Sequence, residues 1–108
     1  EDNLVITFLD KHPVTEGHTL FIPKAHRRDW FELEQSEVMA IHSALTKRKI
    51  ELESRDSSIS GFNIGMNCGT SAGQTVFHCH VHLIPRRDGD SANPRGGVRG
   101  VIPSKQSY

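Results

Sequence analysis

The stretch Val76-Phe77-His78-Cys79-His80-Val81-His82-Leu83-Ile84 sets three histidines at strict alternation among apolar or weakly polar residues. A period of two is that of an extended strand, whose successive side chains point to opposite faces. The spacing predicts a strand with His78, His80 and His82 on one face, and Phe77, Cys79, Val81 and Leu83 on the other, where they make core. One core histidine is an ordinary satisfied polar group. Three on one face carry more ring nitrogens than a core readily supplies with partners, so the row reads as chemistry.

At roughly 3.3 Å per residue the outer two histidines of a straight strand stand about 13 Å apart. Zinc needs its nitrogens about 2.1 Å from one point, which a neighbouring pair can meet and a straight row of three cannot. His12, His18, His26 and Cys68 would have to complete a metal site, and none stands in a recognised ligand spacing. Metal is therefore the minor reading, and no metal is expected at the row. An extended anionic substrate suits it better: one imidazole attacks while its neighbours donate hydrogen bonds near neutral pH. The polar segment just upstream, Met66 to Thr75, reads as a loop between strands in which Gly69 and Gly73 permit positive φ. Its small side chains would leave N–H groups to face an oxyanion, although an ordinary hairpin connection has the same composition.

The motif His78-x-His80-x-His82-Leu83-Ile84 resembles the histidine-triad (HIT) signature. The resemblance extends through Ala72-Gly73-Gln74-Thr75-Val76, through Gly17-His18-Thr19-Leu20-Phe21-Ile22-Pro23-Lys24-Ala25-His26, and to Phe8-Leu9-Asp10, and so covers most of residues 1 to 85. Pro85-Arg86-Arg87 looks more like the fragile-histidine-triad and microbial dinucleoside polyphosphate hydrolase branches than the phosphoramidase branch.

The resemblance implies a nucleotide hydrolase or transferase in which His80 attacks the α-phosphorus to form a nucleotidyl-histidine, His82 contacts the phosphate and His78 orients the row. His18 matches a further histidine beside the triad, and a polar residue at a strand start is the competing reading. Gln74 and Thr75 match positions that approach the phosphates, Thr75 also suiting plain strand entry, and Asn67 matches a phosphate-facing amide. Phe8, Leu9 and Asp10 match the edge of a nucleoside pocket, with Asp10 accepting from ribose hydroxyls. Core packing competes for Phe8 and Leu9, and a solvated turn carboxylate for Asp10. The implied substrates are dinucleoside polyphosphates or related nucleotidyl compounds, adenine nucleotides first. No metal is implied at the triad, though a divalent metal accompanying the polyphosphate is compatible, and homodimers are expected. A phosphoramidase or dinucleotide phosphorylase using the same nucleophile, and a nucleotide-binding regulatory module with little turnover, are the alternatives.

The remainder predicts one α+β domain over residues 1 to 108, an antiparallel sheet with a flanking helix. Leu4 to Leu9 and Thr19 to Pro23 read as strands that pair as a hairpin, and Phe62 to Asn67 as a third strand. From Ser36, a plausible N-cap, to Arg55 the steps between Val38, Ile41, Leu45 and Leu52 mark an amphipathic helix. Lys47, Arg48, Lys49, Glu51 and Glu53 fit its solvated face, and His42 reads as a plain helix-face residue. The 108 residues suffice for one core, and no apolar run nears the roughly 20 residues of a membrane helix.

Formal charge is zero, yet residues 86 to 108 hold Arg86, Arg87, Arg95, Arg99 and Lys105 against Asp88 and Asp90. This local excess of cations favours a polyphosphate substrate, or else belongs to a solvated Gly-rich tail anchored by Val101-Ile102-Pro103. Aromatic residues are not interleaved with the charges, so no nucleic-acid partner is expected. Two cysteines, Cys68 and Cys79, make no disulfide framework and suit a reducing cytoplasm. The sequence begins at Glu1, close to the first strand, which leads to the expectation that a segment precedes it.

Overall fold

The computed structural model describes residues 3–108; residues 1 and 2 of the predicted 1–108 domain lie outside the described residues. Strand β1 (Val5–Leu9) and strand β2 (Thr19–Pro23) form the predicted hairpin, followed by helix α1 (Gln35–Arg55), strand β3 (Ile59–Gly65) and strand β4 (Val81–Arg87). The sheet order is β1-β2-β4-β3 and every pairing is antiparallel. The α+β prediction therefore holds. Among the described residues no helix is long and apolar enough to cross a membrane.

Alternation in the strands assigns the two faces of the sheet. Thr19, Phe21 and Pro23 of β2 and Val81, Leu83 and Pro85 of β4 are buried on the helix side. There Val5, Phe21, Ile59, Val81 and Leu83 pack with Ile41 and Leu52 of α1, and Leu45 joins at the edge. The opposite face is open and carries the row Phe8, Leu20, His82 and Gly65, linked across the four strands by register.

The helix begins one residue earlier than predicted, and its N-cap is Glu34 rather than Ser36. The Glu34 N–H donates to Glu37 Oε1 at 2.8 Å, closing a capping box from the other side. Glu37 is buried and accepts two bonds from Arg27 Nε at 2.9 and 3.2 Å, while Arg27 Nη2 donates to Glu34. Glu37 thus closes the helix start and neutralises a guanidinium that comes from the loop ahead of it.

Substituting Glu37→Ala leaves that guanidinium short of its inner partner and opens the cap, an expected loss of about 2–3 kcal/mol. Glu53→Ala breaks the exposed pair with Lys49 and is expected to cost at most about 0.5 kcal/mol. Urea unfolding midpoints of the two variants at neutral pH check the contrast.

Candidate active site

The predicted histidine strand is shorter than its sequence pattern. Strand β4 starts at Val81, so His82 lies on it, while His78 and His80 lie in an unpaired stretch ahead of it. Both neighbours of β4 run out at this point. Strand β3 ends at Gly65 opposite His82, and β2 pairs with β4 only as far as Phe21 opposite Val81. Beyond it the next carbonyl taken up on β2, that of Pro23, receives an imidazole instead of a backbone amide: His78 Nε2–H donates to Pro23 O at 2.9 Å. Cys79 N–H donates to Arg27 O at 2.6 Å, turning the backbone away from the ladder. Cys79 is buried as predicted, whereas Phe77 is exposed with the Arg28 guanidinium over its ring. Burial pushes the Cys79 thiol up to about 11, with the fields of Cys68, Asp29 and Glu37 adding, so it stays protonated between the two histidines.

The row divides into two clusters. His80 and His82 have ring centroids 5.3 Å apart, and His82 meets His18 at 5.1 Å. His78 instead meets His26, Nδ1 to Nδ1 at 3.2 Å. His26 has no place in the predicted site; the signal for it was its position close after β2, from which it reaches His78.

The hydrogen bonds fix the tautomers. Val14 N–H donates to His18 Nδ1 at 3.0 Å, so that nitrogen carries the lone pair and the proton sits on Nε2. His18 Nε2–H then donates to His82 Nδ1 at 2.9 Å, which places the His82 proton on its own Nε2. His80 Nδ1–H donates to the His78 carbonyl at 2.8 Å, leaving the Nε2 lone pair for a substrate.

Asp10 stands beside this chain. Its Oδ2 is 3.4 Å from His18 Nε2 and 3.9 Å from His82 Nδ1, and its Oδ1 accepts from His12 N–H at 2.7 Å. Asp10, His18 and His82 bring one ligand atom each within 4.8 Å of one another, the one such donor set among the described residues. A cation there would have to displace the proton shared by His18 and His82, which opposes metal binding.

Burial pushes the His18 imidazole below its ordinary value, and Asp10 partly restores it. Burial likewise lowers His82, the nearby His18 and His80 lower it further, and Asp10 opposes them.

The glycine loop has the predicted backbone, Gly69 at φ 92° and Gly73 at φ 97°. Four of its amides are taken up within the loop. Ala72 and Gln74 donate to Gly69 O, Gly73 donates to Thr70 O, and Gly69 donates to Gln74 Oε1 at 2.8 Å. Gln74 is buried, and its Nε2 donates to Arg28 O and Val76 O, so it braces the loop rather than reaching a phosphate. Thr75 is exposed at the end of the loop. Asn67 lines a cavity on the open face together with His18 and His82.

Phe8 and Leu9 are not core residues, at 43% and 61% exposed. The register puts Phe8 on the open face with Leu20 and His82, but Leu9 opposite Thr19 on the helix side. Leu9 and Phe8 therefore leave opposite faces of β1, a consequence of strand alternation. The predicted basic tail is also altered: Arg86 pairs with Asp90 and Arg87 with Asp56, while Arg95 and Arg99 lie over the Tyr108 ring.

Residues 1–89 match the HIT domain family, and the chain belongs to that family. It is similar to a HIT family protein of Bacillus anthracis with a crystal structure, at 44% identity and TM-score 0.78, over 83% of this chain and 63% of that one. A structure described as a hypothetical histidine triad nucleotide-binding protein, from Sulfolobus tokodaii, has 35% identity and TM-score 0.76, over 82% of this chain and 59% of that one. Adenylylsulfatase HINT3 of Arabidopsis thaliana is 38% identical over 83% of this chain and 45% of its own length. The chain spans about 60% of the length of several curated relatives that it matches.

The lowered imidazoles make stability depend on acid. The unfolded chain takes up protons near the ordinary histidine value of 6.5, whereas folded His18 and His82 stay neutral to lower pH. Between those limits the unfolded state binds more protons, so stability is complete above pH 6.5 and falls as pH drops below it. A His18→Gln variant is expected to have a shallower slope of unfolding midpoint against pH below that value than the wild type. An equal slope would assign the acid sensitivity to other groups.

Proposed function

We propose that this chain is the catalytic domain of a nucleotide hydrolase or transferase that works through a covalent nucleotidyl-His80. The observation that carries the reading is the bond from His80 Nδ1–H to the His78 carbonyl at 2.8 Å. It commits one ring nitrogen to a proton and aims the basic one outward, the condition for a nucleophilic imidazole at neutral pH. A printed description as a nucleotide-binding protein for the Sulfolobus tokodaii relative, and as an adenylylsulfatase for the Arabidopsis one, supports nucleotide chemistry.

In the first step His80 Nε2 attacks the α-phosphorus, a P–N bond forms, and the bond to the leaving group breaks with its electron pair going to that group. The His82 Nε2–H, held in that tautomer by His18, supplies a hydrogen bond to the phosphate oxygens as charge builds. Asp10 accepts from the ribose, Phe8 flanks the base, and Asn67 faces the phosphate or the departing group. His78 acts through its carbonyl and Gln74 through the loop it braces. Water then adds to phosphorus, the P–N bond breaks with its electron pair returning to His80 Nε2, the proton lost by the water passes to solvent, and a nucleoside monophosphate leaves. Phosphate in place of water makes the same step a phosphorolysis.

Dinucleoside polyphosphates with an adenine base are the substrates this reading takes from the family resemblance, and a divalent metal would travel with the polyphosphate. The reading includes a homodimer, supported by the place of β3 as an outer strand of the sheet among the described residues, a position that suits pairing with a second copy. It places the protein in the cytoplasm, in keeping with the free thiols of Cys68 and Cys79.

Intact-mass spectrometry after brief exposure to diadenosine tetraphosphate or adenosine 5′-phosphoramidate, quenched without acid, tests the nucleophile. Wild type is expected to gain an AMP-sized adduct and release AMP, and His80→Ala to do neither. Nucleotide binding with no adduct and no turnover on either compound would instead mark a binding module.

A further inference from the structure

The sheet brings Cys68 and Cys79, two thiols with no part in the chemistry above, to facing positions. The last rung of the β3–β4 ladder pairs Gly65 with His82. Continued in that register, the two chains set Met66 opposite Val81, Asn67 opposite His80 and Cys68 opposite Cys79. The side chains keep this alternation past the last rung. Val81 is buried on the helix side and Met66 packs against the same core, whereas Asn67 lines the open-face cavity with His82. Cys68 returns to the side of Met66 and Val81, with which it lines a groove shared by Trp30 and Phe31. Cys79 points its Sγ at Met66 Sδ, 4.0 Å away, and the field of Cys68 reaches the Cys79 thiol.

Opposed residues of an antiparallel pair have Cα atoms about 4.5–5.5 Å apart, inside the span of about 4.4–6.8 Å that a disulfide bridges. Both thiols are free, and they differ in access: Cys79 is 1% exposed, while Cys68 is half-buried and opens onto the groove. Met66, beside Cys79, is an unbranched side chain that repacks readily when its neighbours move. Cys79 is also the residue whose displacement the histidines feel. Its N–H, held by Arg27 O at 2.6 Å, belongs to the same planar peptide unit as the His78 carbonyl, which holds the His80 Nδ1–H at 2.8 Å. A tilt of that one plane breaks both bonds together.

We propose that Cys68 and Cys79 are a modification site, oxidised to a reversible disulfide by a low-molecular-weight disulfide such as oxidised glutathione, and that this bond tilts the His78–Cys79 peptide and releases His80 from its set orientation. In the first step Cys68 Sγ, as thiolate, attacks one sulfur of the small disulfide; a mixed disulfide forms and one small thiolate leaves. Cys79 then gives up its proton and its sulfur attacks Cys68 Sγ, forming the internal bond and expelling the second small thiolate. The two protein thiols lose two electrons, and the small disulfide gains them and takes up both protons. Excess small thiol runs the exchange backwards. Burial keeps the Cys79 proton in place, which makes the second step the slower one. The bond and its effect on the rings stand on the geometry alone; only the loss of catalysis rests on the nucleotidyl-transfer reading above.

The test equilibrates the reduced full chain in buffers of rising oxidised-to-reduced glutathione ratio and follows it by intact mass, peptide mapping and the imidazole nitrogen resonances of 15N-histidine-labelled protein. The wild type is expected to lose two hydrogens with no glutathione retained, to yield a Cys68–Cys79 cross-linked peptide, and to shift the His78 and His80 resonances, all reversed by dithiothreitol. The rate of AMP-adduct formation on diadenosine tetraphosphate is expected to fall at least about tenfold in the oxidised form, as displacement of an attacking group does. Cys68→Ser, at a half-buried position, is expected to match the reduced wild type in spectrum and adduct rate at every ratio. Glutathione retained on Cys68 with no internal bond would overturn the site, and so would two thiols that stay reduced throughout. An internal bond that leaves both imidazoles unshifted, or a Cys68→Ser protein that still responds, would overturn the switch. A wild type that forms the bond and shifts its rings, yet forms no adduct in either state, would uphold the modification site and overturn the nucleotidyl-transfer reading instead.

Discussion

The Arg27 carbonyl that receives the Cys79 N–H at 2.6 Å is the point on which the arrangement of the histidines depends. Cys79 lies between the two histidines ahead of β4, so this bond sets where both rings emerge. Arg27 is itself fixed from the helix side, its guanidinium gripped by buried Glu37 and by Glu34 at the start of α1. Pro23 and Arg28 on either side supply carbonyls to His78 and Gln74. One short connection between β2 and α1 thus carries the fold's geometry into the site through backbone acceptors, which hold a donor at a defined distance with little side-chain freedom to lose.

The histidines form two clusters because their nitrogens are shared out in pairs. His18 donates to His82 while its other nitrogen accepts from Val14 N–H, and His78 and His80 spend their protons on the Pro23 and His78 carbonyls. Among the described residues no buried side-chain nitrogen or oxygen lacks a partner. Burial keeps His18 and His82 neutral, and neutrality is what the relay of donated protons from His18 to His82 requires. Asp10 works against that burial by favouring the charged forms, so the site balances a desolvating environment against one nearby carboxylate.

Strand alternation and the strand ladders account for most differences between the predicted and observed site. A two-residue period places His78, His80 and His82 on one strand face, but a period says nothing of where partner strands stop. Strand β3 ends at Gly65 and β2 turns to bond through ring and loop atoms, so His78 and His80 fall outside the ladder while the ring spacing near His82 survives. The same alternation separates Phe8 from Leu9. The cations of residues 86 to 99 were visible as a local excess; Asp90 stands only four residues from Arg86, whereas Asp56 lies 31 residues from Arg87 and Tyr108 lies 13 and 9 residues from Arg95 and Arg99, beyond a local pattern.

Local pattern by itself determined the hairpin of β1 and β2, the helix face carrying Ile41 and Leu52, and the buried thiol of Cys79, because each follows from the spacing of side chains along one segment. The tertiary structure alone decided the tautomers, the pairing of His26 with His78, the bracing role of Gln74, and the lining of one cavity by His18, His82, Val98 and Val101. Those depend on which carbonyl, amide or methyl group from a distant part of the chain arrives within a few ångströms. Periodicity records the faces of an element, whereas a hydrogen bond across 52 or 64 residues exists only once the elements have packed.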